Sequence, residues 1–415
     1  MNKDFTQQQT QNTRIVYEEL ELWVRSRIQQ WVQELLEEEV TTLLGRGKSE
    51  RRNGVDVPKG YRNGYGKPRK LALSCGTITV SRPRVRDLEQ SFESRILPLF
   101  ARRTKEVGDL IPELYLHGLS QGDFDLALRG LLGEGAPLSE GSVARLKAKW
   151  QAEYEQWRGS GLGDLEVVYL WVDGIYVKAG LEKDKACILV ALAGLSDGTK
   201  VFVGLEAGHR ESIESWSSML RDLRQRGLRE PRVVIGDGNL GIWGAIRNVW
   251  PGADEQRCWN HKILNVLNKL PKRVQAQGKV LLRQIPYAQK LGEAERLKGV
   301  FQSWCRKRGC KDAEGLIEKD WDQMVTFYKY PREHWVHLRT SNPVESPFSA
   351  VRLRTEASRR YKKVENATAI IWKTLMIAQK RFRKLNAPEL LKEVYEGAVY
   401  ADGVRVKDTQ REAAA

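Results

Sequence analysis

The sequence predicts an α/β protein built around one mixed sheet, with long helical stretches before and after the strands. Three observations carry that prediction. Between residues 167 and 239 short apolar, β-branched runs are separated by Asp-Gly and Ser-Asp-Gly breaks and by an amphipathic helical segment. Residues 259–330 keep helical spacing with no strand-like run. Residues 15–44 and 98–158 repeat their apolar side chains at three- and four-residue steps.

Taken in order, residues 1–13 are polar. Ile15 to Leu44 reads as a helix, through Leu20, Trp23, Ile28, Trp31, Val32, Leu36, Val40 and Leu44, and Gly45 follows as its C-cap. The pattern fits a core helix and a dimerising helix equally. Segment 45–70 (GRGKSERRNGVDVPKGYRNGYGKPRK) is too rich in Gly and Pro for a helix. A short β segment, 71–87, alternates around Thr77-Ile78-Thr79-Val80. In 98–158, two helices joined by a Gly/Pro/Ser turn suit a helix-turn-helix or an ordinary helical hairpin, with Ser139 as a cap and Arg145, Lys147 and Lys149 on the second helix. GSGLGD (159–164) reads as a linker. Then come VVYLWVDGIYVKAG (167–180), KACILVALAGLSDGTK (185–200), VFVGLEAG (201–208), the helix SIESWSSMLRDLRQRGL (212–228), the strand PRVVIGDGN (231–239) and the helix GIWGAIRNVW (241–250). The order β-β-β-α-β-α is that of a ribonuclease-H-like catalytic domain, which places ligands at the carboxyl ends of strands. Residues 339–363 open into a basic helix and 364–386 form another; the final residues look frayed.

The charge is lopsided: 69 Lys+Arg against 53 Asp+Glu, a formal +16 over 415 residues. Such an excess suits a polyanionic partner, nucleic acid first. Five cysteines, Cys75, Cys187, Cys258, Cys305 and Cys310, are sparse and odd in number, which fits a reducing compartment rather than a disulfide scaffold. The N-terminus has no apolar signal core, and no apolar run approaches the roughly 18–20 residues that cross a bilayer. The expectation is a cytoplasmic, nucleoid-associated protein with no membrane partner.

Two aspartates interrupt apolar strands, Asp173 in YLWVDGIY and Asp237 in VVIGDGN. Either Asp-Gly alone marks a turn. A carboxylate at the end of a buried strand is costly unless it is neutralised, and a divalent cation with hard oxygen ligands does so. Two such ions can serve the attacking and leaving oxygens of phosphodiester chemistry. A third carboxylate is harder to choose: Glu345 follows Ser-Asn-Pro at a helix start, where an acid also favours the helix dipole, and spacing does not prefer it to Glu333 or Glu356.

Ordered together, the motifs resemble the Mutator-type DDE transposases of bacterial insertion sequences. YLWVDGIYVKAG resembles the first catalytic block, VIGDGNLGIWGAI with QRCWNHKILNVL the second, and TSNPVESPFSAVRLRT the third, while YRNGYGKPRKLALSCGTITVSRPRVRD resembles the N-terminal region. The likeness runs from about residue 20 to 385. Departures from the pattern are Ser349, where an Asn is common, and Pro347 in the opening turn. The resemblance implies that Asp173, Asp237 and Glu345 hold Mg²⁺ or Mn²⁺, two ions, and that an all-helical insertion separates the second Asp from the Glu. It implies an organisation of 1–97 (helix, basic loop, β segment), 98–160 (helical, with a helix-turn-helix), 161–258 (first part of the catalytic core), 259–338 (insertion), 339–390 (second part, with the Glu-bearing helix) and 391–415 (tail). It makes Cys258 and His261 a signature beside the site; adding Cys305 and Cys310 would make a four-ligand zinc alternative.

Two basic groups are candidate DNA contacts: Arg51, Arg52, Arg62, Lys67, Arg69 and Lys70 among aromatics and glycines, and Arg352, Arg354, Arg359 and Arg360, with Lys362 and Lys363, after Glu345. Trp243 and Trp259 read as core residues in preference to base-stacking ones. The expected partners are terminal inverted repeats, target DNA and a second copy of the chain in a synaptic dimer or larger assembly. The expected activity is metal-dependent DNA cleavage and strand transfer. The alternatives are a ribonuclease-H-like nuclease that does not join strands and a non-catalytic DNA-binding relic.

Overall fold

The computed structural model describes residues 19–50, 60–88, 90–98, 100–119, 121–132, 140–180, 185–208, 210–238 and 240–406. It divides into two compact units that meet at Leu146/Lys147.

The first unit opens with helix α1 (Leu20–Leu44), stopped by Gly45 in the left-handed conformation at φ 64°. Four short strands follow: β1 (Tyr61–Tyr65), β2 (Arg69–Leu73), β3 (Gly76–Val80) and β4 (Pro83–Arg86). They pair antiparallel as β1–β4 and β2–β3. Tyr61–Tyr65 is thus a strand inside a stretch whose composition suggests only loop. Leu36 of α1 packs with Leu71, Ile78, Val80 and Leu97 to form a small core. Gln33 locks the contact, its amide bonding both Ser81 N–H and Ser81 O. The apolar stripe of α1 is therefore core on this side, while Leu22 and Trp31 remain exposed. Helices α2 (Lys105–Leu116), α3 (Gln121–Leu132) and α4 (Glu140–Arg158) come next, and the unit boundary falls within α4. The expected Ser139 cap and the turn before it lie outside the described residues.

The second unit holds a five-stranded mixed sheet: β5 (Val167–Val177), β6 (Ala186–Leu195), β7 (Lys200–Gly208), then β8 (Val233–Gly236) and β9 (Asp254–Arg257), in the order β7-β6-β5-β8-β9. The first three strands are antiparallel; β8 pairs parallel with both β5 and β9. β9 has a polar sequence, DEQR, without strand periodicity, so only its pairing with β8 reveals it. Between β7 and β8 runs α5 (Ile213–Gln225), capped by Ser212, whose hydroxyl accepts from Ser215 N–H at 3.2 Å. Between β8 and β9 runs α6 (Leu240–Val249).

One face of this sheet is the main core. Leu170, Val172, Leu189, Ala191, Val203 and Val234 pack on Trp216, Met219, Leu220 and Leu223 of α5 and on Ile242, Trp243, Ala245, Ile246 and Val249 of α6. Each of these large side chains stabilises the fold by roughly 1.5–3 kcal/mol when fully buried. Leu162, within GSGLGD, belongs to the same cluster, and its N–H donates to Arg226 O at 2.7 Å.

Strand side chains alternate between faces, so Tyr169, Trp171 and Asp173 point to the opposite face from Leu170 and Val172. The chain after β9 is helical, α7 (Trp259–Leu267), α8 (Lys272–Gln284), α9 (Leu291–Arg306), α10 (Lys311–Glu318), α11 (Trp321–Met324) and α12 (Trp335–Leu338), and that face meets it at His334 and at α12. Tyr169 Oη is 2.7 Å from His334 Nδ1, and Trp171 Nε1 donates to His337 O at 3.0 Å. The expected basic helix is two helices, α13 (Asn342–Glu345) and α14 (Phe348–Ala357). Pro347 lacks the N–H that would continue the ladder and so interrupts it. α15 (Val364–Gln379) packs along β7, Gln379 Oε1 accepting from Phe202 N–H at 2.7 Å. The chain then forms α16 (Pro388–Tyr395) and a hairpin of β10 (Tyr400–Ala401) and β11 (Val404–Arg405). Among the described residues no helix is long and apolar enough to cross a membrane.

Candidate active site

The parallel register Tyr169↔Val233, Leu170↔Val234, Trp171↔Ile235, continued two residues, brings Asp173 level with Asp237. Asp237 follows the last residue of β8, whereas Asp173 lies within β5, both on the face away from α5 and α6. The expected break at Asp173-Gly174 is corrected, because both residues stay paired with Val190 and Leu189 of β6 and the strand runs on to Val177. α13 packs against β5 and β6 and carries Glu345 to the same place. Asp173 feels the charges of the other two. Asp173 is pushed up to about 7, first by burial and then by the negative charges of Glu345, Asp237 and Glu211, while a bond from Gly174 N–H to Asp173 Oδ1 (2.8 Å) opposes the rise. A buried carboxyl crowded by like charges and hard oxygen donors fits a divalent cation, which would relieve the repulsion.

Glu211, in the β7–α5 connection, is not read as a site residue from the sequence. Its signal is Gly174: a Cβ there would lie 2.5 Å from Glu211 Oε1, so only glycine lets that carboxylate approach the strand. Arg257, at the end of β9, was also unannounced. Its Nε donates to the carbonyl of Asp237 at 3.3 Å and its guanidinium pairs with Asp320. Gly238, at φ 93°, makes room, since a Cβ would meet Arg257 Nε at 2.1 Å. Asp320 also takes Lys262 Nζ at 3.3 Å. The Lys262 amine is held down at about 8, first by burial and then by Arg257.

Cys258 and His261 sit beside Glu345. Their ligand-capable atoms and a Glu345 oxygen all lie within 4.8 Å of one another. His261 Nδ1 is 3.8 Å from Glu345 Oε1. The imidazole is pushed up to about 9, first by the Cys258 sulfur beside it, with Glu345 and Asp237 adding to the rise and burial opposing it. Cys305 and Cys310 are buried around the turn between α9 and α10, Cys310 N–H donating to Cys305 O at 3.0 Å. Among the described residues the ligand-capable group at Cys258 includes neither, so the four-ligand zinc alternative lacks its other half. Trp243 and Trp259 are core residues, 4% and 1% exposed, and Trp259 Nε1 donates to Met324 O at 2.7 Å.

Residues 1–384 match the family described as Transposase, Mutator family. The chain belongs to that family. It is 42% identical over 297 residues to the transposase for insertion sequence element IS6120 of Mycolicibacterium smegmatis, an alignment covering 72% of this chain and 92% of that protein. It is 36% identical over 280 residues to the transposase for insertion sequence element IST2 of Acidithiobacillus ferrooxidans, covering 67% and 94%. A further relative, the transposase for IS406 of Burkholderia multivorans, is 30% identical over 332 residues, covering 79% and 83%.

The basic candidates of this Mutator-family chain divide by exposure. Lys67, Lys70, Arg352, Arg359 and Arg360 are exposed, although Arg360 also donates to Gly180 O at 2.8 and 3.0 Å. Arg62 is half-buried and engaged with Glu37 and Thr41, both at 2.7 Å. Arg69 donates to Pro98 O, and burial lowers its basicity. Arg354 is a correction: it is 2% exposed and bonds Ser358 Oγ at 2.6 Å, so its guanidinium faces the interior rather than a DNA backbone. Its spacing from Arg352 puts the two on different faces of α14. Arg51 and Arg52 lie outside the described residues.

Proposed function

We propose that this chain is a DDE transposase with a ribonuclease-H-like catalytic core, acting on the terminal inverted repeats of an insertion sequence. The observation that carries the reading is the convergence of Asp173, Asp237 and Glu345 beside the inner strands β5 and β8, in a chain of the Mutator transposase family. Asp173, Asp237 and Glu345 would hold Mg²⁺ or Mn²⁺, two ions. When bound, such ions supply charge neutralisation at the reacting phosphate and make the attacking oxygen more nucleophilic.

The protein's own groups account for the rest. Asp173, whose proton is held first by burial and then by its acidic neighbours, would ionise with a cation bound, since the cation's charge would offset both. Gly174 N–H fixes one oxygen of Asp173, and Arg257 steadies the Asp237 turn through its carbonyl. Water attacks the phosphodiester at the element's end, the bond to the 3′ oxygen breaks, and a 3′-hydroxyl is left. That hydroxyl attacks a target phosphodiester in line, forming one bond and freeing the target's own 3′-hydroxyl. No covalent protein–DNA intermediate is needed. Lys67, Lys70, Arg352 and Arg359 are the exposed cations proposed to hold the DNA backbone, and the pairing of two ends implies at least a dimer.

The test is end cleavage and joining on a repeat-bearing DNA with Mg²⁺. Asp173→Asn and Glu345→Gln should each lose cleavage while retaining DNA binding; full activity in either removes that residue from the site. Cleaved but never joined products would make the chain a nuclease, and metal-independent binding without cleavage a DNA-binding relic.

A further inference from the structure

We infer that Ser341 is the positioning residue of the third carboxylate and that Cys258 serves as its anchor, making the Cys-x-x-His pair a bracket for Glu345 rather than a metal site. The inference rests on the reading of Glu345 as a site ligand and adds what holds it there.

Ser341 is 0% exposed and sits at the N-cap of α13. A serine at that position usually caps its own helix, and this one does not. Its hydroxyl bonds Glu345 Oε1 instead. Its carbonyl accepts from Val344 N–H at 3.0 Å and Glu345 N–H at 3.1 Å. Its N–H donates to Cys258 Sγ at 3.3 Å. Every polar group of Ser341 is therefore engaged, and all but one engage the turn that carries Glu345.

Cys258 closes the link. Its N–H donates to the carbonyl of Gly236 at 2.7 Å, and Gly236 immediately precedes Asp237. Three hydrogen bonds thus run from the strand that delivers Asp237, through Cys258 and Ser341, to the carboxylate of Glu345. α7 adds two contacts: Asn260 Nδ2 donates to Asn342 Oδ1 at 3.1 Å, and His261 Nδ1 faces Glu345 Oε1 at 3.8 Å. A free glutamate samples many rotamers, and that freedom opposes ligation. Groups that orient a ligand in this way typically change metal affinity or activity 10–100-fold when removed. The bracket also explains how a carboxylate on a single helical turn, interrupted by Pro347, keeps a fixed place relative to two strand-borne aspartates.

The test uses the full-length protein without DNA, titrated calorimetrically with Mn²⁺, alongside end cleavage and DNA binding. Ser341→Ala should weaken Mn²⁺ binding and slow cleavage about 10–100-fold with DNA binding unchanged. Ser341→Thr, which keeps the hydroxyl, should recover most of both. Cys258→Ala should give a smaller loss of the same kind, restored by Cys258→Ser, and covers the case in which Ser341→Ala does not fold. In a Glu345→Gln background Ser341→Ala should add nothing, because its effect passes through Glu345. An equal loss of Mn²⁺ binding in that background would mean a merely structural role and overturn the inference. So would wild-type behaviour of Ser341→Ala while Glu345→Gln is inactive, or stoichiometric zinc lost in Cys258→Ala. Full cleavage by Glu345→Gln would instead bring down the functional reading, and the inference with it.

Discussion

Replacing Asp173 with asparagine should stabilise the metal-free protein at pH 8 while abolishing cleavage. The folded Asp173 carboxyl titrates near 7, against 3.8 for the free side chain. Below about pH 4 both folded and unfolded chains carry the proton, and the site costs nothing through this route. Between about 4 and 7 the unfolded chain ionises while the folded one still holds its proton, so wild-type stability falls as pH rises. Above 7 the penalty is complete. At 1.36 kcal/mol per pKa unit, the roughly three-unit shift amounts to about 4 kcal/mol as an upper limit. Asparagine carries no charge and retains Oδ1 as acceptor for Gly174 N–H, so it should recover most of that. Denaturant unfolding in EDTA at pH 5 and pH 8 measures it. The gain of Asp173→Asn over wild type should be larger at pH 8 by about 2–3 kcal/mol. Saturating Mg²⁺ should then stabilise wild type and leave the variant unmoved. An equal gain at both pH values, or destabilisation at pH 8, would refute the argument that crowded, buried negative charge defines this site.

Other substitutions test the surroundings. Asp320→Asn removes the one anion shared by Arg257 and Lys262, leaving two buried cations unpaired, and should cost about 3–5 kcal/mol in denaturant unfolding. Gly238→Ala places a Cβ against Arg257 Nε in a left-handed conformation; it should lower cleavage at least tenfold with DNA binding intact, read by end-cleavage kinetics. Arg352→Ala should reduce the salt slope of DNA binding by about one unit, measured by fluorescence anisotropy across a salt series. Arg354→Ala should leave that slope unchanged and lower stability by about 1–3 kcal/mol.

Much of the fold could be read from the chain. The runs holding Leu170, Val172, Leu189 and Val234 announce strands because each strand must bury its own apolar face, and burial writes a local period into the sequence. The α1 helix and its Gly45 stop are legible for the same reason. β9 is not: Asp254-Glu255-Gln256-Arg257 carries polar side chains whose burial depends on distant partners, Gln256 bonding Met324 O and Phe327 N–H. The hairpin at Tyr400–Arg405 is likewise set by tertiary contact. Arginine roles followed the same division. Alike in sequence, Arg352 and Arg354 differ because one face of α14 meets solvent and the opposite face meets the core.

By itself, then, the sequence determined that two aspartates, Asp173 and Asp237, fall within or just beyond apolar strands, since a charge among buried side chains is conspicuous wherever the strand lies. It could not choose Glu345 over Glu333 or Glu356, all of them acids in helical surroundings. What sets Glu345 apart is tertiary: its carboxylate bonds Ser341, which is tied through Cys258 to Gly236, and these residues, far apart in the chain, meet only when the helices close over the sheet.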